Sequence, residues 1–463
     1  MRRNLHFLYA AALTLSLPCL GGEEEPPGLS PELRAWLEER DRKAEARTKA
    51  LLEEQRNEFG ATLARAKAGD RMLEAEVTQY LAQGGAPAWA APVQAQGALR
   101  LIDVSFVGLG VAAWSTAEDA TFRKLFVGDH DPRGRGFSAP NEELNLAGVV
   151  DPYFRADVAI VLSITAEGET AIELEEAFLT TLSLPGHLQV KAGTFFNSFG
   201  RLNRQHPHVW AFVDKPVVLG RLFGPDALRG PGAQVSWLAP LPFFAELVFA
   251  VHNAGGETAV SFLGEPGEEF AGRPLLESSV RSLKNLLYLV RVETSFDLTQ
   301  ALTLVPGVSV LFGPNATGDA MRTAIYGVDL YVKWKPPESD RGFPFASVQI
   351  EALFRDYEAA AFDGLPDETL HDWGFYAEFL YGFRRPWVAG VRLEHADGAG
   401  GPGGDFLRDR RQRASANVTY YFSEFSKLRF QVNVDWSDTL GKPVTSFFLQ
   451  FEINFGAHGA HKF

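Results

Sequence analysis

One stretch near the C-terminus leaves the chain little freedom. In Ser446–Phe455, Phe447, Leu449, Phe451, Ile453 and Phe455 share one face, while Phe448, Gln450, Glu452 and Asn454 share the other. Strand side chains alternate between faces, so this segment has one nearly all-apolar face and one mostly polar face. A soluble sandwich would bury the apolar face against a second sheet. An outer-membrane barrel would give it to lipid and turn the polar face toward a wet lumen.

The same texture fills the chain after Gly97. Alternating segments fall at 101–113, 141–149, 153–165, 170–182, 187–196, 228–239, 243–254, 284–297, 301–313, 321–335, 345–357, 373–383, 387–396, 413–423, 426–436 and 446–455, about sixteen strands. In 153–165, Phe154, Ala156, Val158, Ile160, Leu162 and Ile164 face one way. Leu428, Phe430, Val432, Val434 and Trp436 oppose Arg429, Gln431, Asn433 and Asp435. An inward face carrying Arg, Asp and Asn is costly in a dry sandwich core and at ease in water.

The connections give an independent check. Short ones (around Val150–Pro152, Leu184–Gly186, Ala239–Pro242, Leu298, Gly382–Pro386 and Ser423–Phe425) alternate with longer ones at 114–138, 197–227, 255–282, 357–372, 397–412 and 437–445. Barrels of this kind keep short turns at the periplasmic end and long loops outside, with an even strand number. Two connections fit less well, a short outside turn at Glu167–Gly168 and a longish inside one at Pro336–Pro344.

Composition agrees. Hydrophobic residues make up 46% of the 463, yet no apolar run past residue 22 could form a spanning helix. Phe is abundant (36) while Met (3) and Cys (1) are scarce, which suits barrels with aromatic girdles. A net charge of −14 argues against nucleic acid as a partner.

The first 22 residues read as a secretory signal, with Arg2 and Arg3, an apolar core from Leu5 to Leu17, and small residues at Gly21 and Gly22. The lone Cys19 is either a lipidated first residue of the mature chain or leaves with the signal. Residues 23–96 are expected to be a periplasmic α-helical segment and linker. Ser30 caps its start with Pro31 at the first helical position, and Gly84–Pro87 closes it. Its apolar positions are sparse, leaving a self-associating coiled coil and a solvated single helix both open.

The most distinctive stretch lies between the fifth and sixth strands, Phe195 to Pro216. It holds Arg201, Arg204, His206, His208, Asp214 and Lys215, and it is unusually apolar for an outside loop. The barrel at 97–463 resembles the sixteen-stranded bacterial outer-membrane porins, in which a long outside loop folds into the lumen. Val190–Asn203 resembles the lysine-glycine-fringed hairpin and following loop of phosphate-selective-porin-like proteins. The ending Asn454–Phe463 is similar to a group of outer-membrane proteins, some labelled metal-regulated receptors. These resemblances imply an all-β membrane protein, a closed antiparallel transmembrane β-barrel, and a homotrimer in outer-membrane lipid.

Arg201, Arg204, His206, His208, Asp214 and Lys215 are the candidate pore constriction. Arg201 and Arg204 would draw anions into an eyelet or pair with lumen carboxylates such as Glu173 or Glu175. Asp129, His130 and Asp131 look like a polar loop. His206 with His208, and His458 with His461, are weak metal candidates, because Pro207 splits the first pair and no acidic cluster lies nearby in sequence. No cofactor is expected. No Gly-x-Ser-x-Gly elbow, phosphate loop or His-Glu-x-x-His occurs, so no enzyme is expected. The expectation is an outer-membrane porin passing small hydrophilic solutes or ions by passive diffusion, narrowed by the loop at 197–227. The alternatives are a receptor or metal-uptake barrel, and an envelope tether reaching the cell wall through the N-terminal helix.

Overall fold

The computed structural model describes Glu39 and residues 102–456, except 133, 165–169, 279, 341 and 402–404. The signal, the N-terminal helical segment (Glu39 apart), Cys19 and the tail histidines His458 and His461 lie outside the described residues.

Sixteen antiparallel strands close into one barrel. They are β1 (Asp103–Ser115), β2 (Gly136–Val149), β3 (Phe154–Ile164), β4 (Thr170–Thr181), β5 (Leu188–Phe196), β6 (Arg229–Leu238), β7 (Phe244–Asn253) and β8 (Leu286–Thr299). The rest are β9 (Leu302–Pro314), β10 (Arg322–Trp334), β11 (Phe345–Ala359), β12 (Glu368–Arg384), β13 (Trp387–Ala399), β14 (Arg411–Ser423), β15 (Ser426–Ser437) and β16 (Val444–Gly456). Each strand pairs with its neighbours in sequence, and β16 returns to β1, matching Ser446 to Ser115 and Gly456 to Ser105. The strand count and the alternation of short turns with long loops are as the sequence predicts. Both strand ends nearest the termini lie at the turn end. Two strands begin earlier than the alternation indicates, β2 at Gly136 and β12 at Glu368.

The outward face is apolar. Between its ends it is aliphatic, with Val292, Val308, Val328, Val391, Leu393 and Leu449 all exposed. Aromatics ring both ends: Trp114, Phe249, Tyr326, Phe354, Trp373 and Trp436 toward the loops, Trp237, Phe244, Trp334, Tyr381, Phe383 and Phe422 toward the turns. On β10 the two rings are eight residues apart, about 27 Å along the strand. That spacing is what an aromatic-girdled membrane band requires. Among the described residues no helix is long and apolar enough to cross a membrane.

The inward face is polar, as expected, but it does not line an open wet lumen. Arg291, Arg355, Arg392, Arg411, Arg413 and Arg429 are all buried, as are Gln431, Asn433 and Asp435. The interior at the loop end is filled by loops that turn inward. One is the β1–β2 connection, which carries the short helix α1 (Asp119–Leu125). Phe122 and Phe126 of this segment pack on Phe448, whose ring sits edge-on to Phe126 at 5.2 Å. This explains the one large apolar residue on the polar face of the last strand. The other main filler is the loop at 197–228.

Leu393 stands midway along β13 on the outward face, 60% exposed. Replacing it with Arg (Leu393→Arg) is expected to cost about 2–4 kcal/mol in urea-driven unfolding from phospholipid vesicles. An unchanged stability would remove lipid from that face.

Candidate functional site

The segment 197–228 leaves β5 and returns as β6. Its apolar residues explain its path. Phe199, Leu202, Trp210, Val217, Val218, Leu222 and Phe223 join one buried cluster with inward residues of the wall, among them Leu289, Leu311, Ile325 and Leu353. Exposed outside the barrel, that surface would stay in water; inside, it is removed from it. The wall makes room at Gly327, where a Cβ would meet the Phe199 ring at 2.5 Å. Pro216 leads into the short helix α2 (Val217–Phe223), which lies against β12 and β13.

Polar anchors fix the loop at two walls. On the first, Glu351 of β11 accepts the backbone N–H of Arg201 at 3.1 Å and of Leu202 at 2.7 Å, together with the Tyr376 hydroxyl at 2.6 Å. Gly200 is held in the left-handed region (φ 59°), and a side chain there would collide with the Glu351 carboxylate. Glu394 accepts the N–H of Val217 at 2.7 Å, and Gln431 that of Val213 at 2.8 Å. Asp214 receives Arg392 at 2.9 Å and Gln431 at 2.5 Å, and it also pairs with Arg413. Arg429 and Lys427 donate to the carbonyls of Trp210 and His208, each at 2.9 Å. Arg411 and Arg413 also reach the carbonyl of Leu125, tying the β1–β2 connection into the same network.

On the opposite wall the loop presents two histidines to carboxylates of β2 and β4. His206 Nδ1 lies 2.8 Å from Glu175 Oε2 and 3.2 Å from Glu143 Oε1, and its Nε2 lies 3.0 Å from Glu176 Oε2. His208 Nδ1 lies 3.0 Å from Glu143 Oε2. A register shift in the β3–β4 ladder leaves Glu175 as an extra residue, so Glu173, Glu175 and Glu176 all crowd this region. Burial opposes a charge on His206, but the Glu143 and Glu175 carboxylates outweigh it and hold the imidazole well above its ordinary pKa.

The candidate residues thus divide between these walls. Arg201 is buried, donates to Gln349 at 3.0 Å and stacks over the Tyr331 ring at 3.9 Å. Arg204, partly exposed, pairs with Glu293 at 2.5 Å. Arg204 thus pairs with a lumen carboxylate, one of the two sequence expectations, but neither arginine meets Glu173 or Glu175. Glu173 is taken by Arg229, which lies at the foot of β6, and Glu175 by His206 and His130. Asp214 and Lys215 do not pair with one another: successive backbone positions send the Lys215 Nζ to the carbonyls of Gly224 and Pro225, both at 3.1 Å. Burial lowers the Lys215 pKa to about 8.

Asp129–Asp131 is more than a polar loop. His130 and Asp131 are buried, and Asp131 accepts the N–H of Lys215 at 2.9 Å and of Gly128 at 2.8 Å. Burial and the neighbouring Asp214 raise the Asp131 pKa to about 6. The acidic cluster missing from the sequence around His206 exists in space, supplied by β2 and β4. Glu143, Glu351, Arg411 and Arg413 carry the site and were not singled out by sequence. The acidic run Glu173–Glu176 was the one visible signal of a crowded carboxylate wall.

No family model matches the chain. A protein of Aquifex aeolicus (strain VF5), described only as uncharacterized, is 31% identical over 397 residues, covering 78% of this chain and 79% of that protein. This chain belongs to the same family. Among solved structures, the outer-membrane channel DcaP of Acinetobacter baumannii overlaps with a TM-score of 0.51 at 14% identity, over 76% of this chain and 97% of that one. The likeness to DcaP is one of fold, the closed sixteen-stranded barrel.

Asp214→Ala would strand Arg392 and Arg413 in a buried site without their shared counter-charge. We expect a loss of about 3–5 kcal/mol in unfolding, with new protease cleavage between residues 197 and 228 in the otherwise folded barrel. Unchanged stability and protection would show that the Asp214 ion pairs do not hold the loop.

Proposed function

We propose that this protein is an outer-membrane channel of the porin kind, passing small hydrophilic solutes or ions by diffusion, with its termini on the periplasmic side. The observation that carries this reading is the inward loop. A closed barrel with a lipid-facing band and a polar inside has its interior narrowed by inward loops, chief among them 197–228, which is anchored on both walls by charged groups. The barrel fold shared with DcaP is consistent with it.

The same packing makes the passage narrow. Inward groups are buried toward the loop end, while Lys191, Glu246, Asp297 and Lys333, near the turns, stay partly or fully exposed. Water and ions therefore reach inward charges near the turns on the β5–β10 side and meet a loop-filled half beyond them. These exposed charges are of both signs, so neither ion sign is strongly favoured.

The test is single-channel recording of the full chain in a planar bilayer. Small stepwise conductances with a reversal potential near zero under a salt gradient are expected. Glu351→Ala, which frees the backbone of Arg201 and Leu202, is expected to give larger steps. A folded barrel that stays silent, in wild type and variant alike, would overturn the channel reading.

A further inference from the structure

The two histidines and the carboxylate wall contain a set of atoms that the ion pairs leave incomplete. Glu143 Oε1, Glu175 Oε2 and His206 Nδ1 all lie within 4.8 Å of one another. Nδ1 is 3.2 Å from the first and 2.8 Å from the second. All three atoms are buried, and none has a hydrogen bond of acceptable geometry. One imidazole nitrogen carries at most one hydrogen, so it cannot serve two converging carboxylate oxygens. Orphaned polar atoms in such a place need a partner, and a cation is a partner for all three at once.

We propose that Glu143, Glu175 and His206 form a binding site for one divalent transition-metal ion of the zinc type, inside the barrel where loop 197–228 meets β2 and β4.

The spacing suits an ion. Ligand bonds of about 2.0–2.2 Å in tetrahedral arrangement set donors about 3.4 Å apart, close to the observed separations. The surrounding groups are placed as supports for metal ligands. His206 turns its other nitrogen to Glu176 Oε2 at 3.0 Å, which orients the ring, and an ion bound at Nδ1 takes the place of the proton that Glu143 and Glu175 otherwise hold there. His208 holds Glu143 by its second oxygen at 3.0 Å, and His130 approaches the second oxygen of Glu175 at 3.6 Å. Glu143 and His206 are thus held at the atom that does not face the centre, and His130 stands beside that atom of Glu175. Solvated acidic clusters are common without a metal, but this one is not solvated: the side chains of Glu143 and Glu175 are 0% and 2% exposed. His206 keeps 17% exposure, though its Nδ1 is buried. Imidazole with carboxylates, and no thiol, favours zinc, manganese or iron(II) over copper(I). The ligands come from two strands and the loop, so an ion would join the loop to the β2–β4 wall. This proposal does not depend on the channel reading.

The test uses the full chain in detergent, stripped with EDTA, dialysed against Zn²⁺ in excess Mg²⁺ and measured by elemental analysis. One tightly held Zn²⁺ per chain is expected, with a raised unfolding temperature by tryptophan fluorescence. Glu143→Gln and Glu175→Gln are each expected to weaken binding roughly tenfold or more. Folding of the variants is checked by heat-modifiable mobility. Should they not fold, zinc-edge anomalous scattering from wild-type crystals decides: a peak within bonding distance of His206 Nδ1 supports the site, and a peak elsewhere or none overturns it. Absence of binding at micromolar Zn²⁺ overturns it, as does equal affinity in folded variants, which would move the ion to another donor set such as the tail histidines.

Discussion

A sheet in lipid cannot leave an edge. Every unpaired backbone N–H or C=O in the hydrocarbon costs several kcal/mol, so the last strand must find the first. Here β16 meets β1 in unbroken register from Ser115–Ser446 to Ser105–Gly456. Once the seam closes, alternation does the rest. Phe447, Leu449 and Phe451 must face out, and Ser446, Phe448 and Gln450 must face in. A one-residue slip anywhere in the ladder would turn lipid-facing side chains inward and put charges into the membrane. The strict sequence alternation and the closed ladder are therefore one requirement seen at two levels.

Closure creates a second problem, because sixteen strands enclose more space than their own side chains fill. This chain meets it with its loops. Apolar segments from the β1–β2, β5–β6 and β7–β8 connections enter the interior and build a core inside the barrel, with Phe122, Phe199, Phe223 and Phe262 fully buried. The inward arginines then lose their water and must be matched by carboxylates and carbonyls. Arg413 does this with Asp214, Asp435 and the Leu125 carbonyl. Such buried pairs contribute little net stability against an apolar alternative, but losing one partner is expensive. They fix where the loop sits far more firmly than how stable the barrel is.

The barrel was legible in the sequence because its signal is local: a period of two, repeated, with turns between. The early starts of β2 and β12 were not, since Gly136–Pro140 and Glu368–Asp372 lack clean alternation, and neighbouring strands hold them in the sheet. The loop was legible as a candidate site from its own composition. Its partners were not. Arg201 has Glu293, Glu173 and Glu175 all on the inside of the same barrel, and only the path of the backbone decides that Gln349 and Tyr331 receive it. His206 looked poor in acidic neighbours because they lie on β2 and β4, which sequence distance hides and the sheet brings together.

The two walls that hold the loop close very different lengths of chain. From His206 to Glu176 the chain runs 30 residues, and from His208 to Glu143 it runs 65. From Leu202 to Glu351 it runs 149, and from Val213 to Gln431 it runs 218. Shorter loops lose less entropy on closing, so contacts with β2 and β4 cost less chain entropy than those with β11 and β15. Through this one segment, strands far apart in sequence, β2 and β4 on one side and β11 and β15 on the other, are joined by hydrogen bonds across the interior.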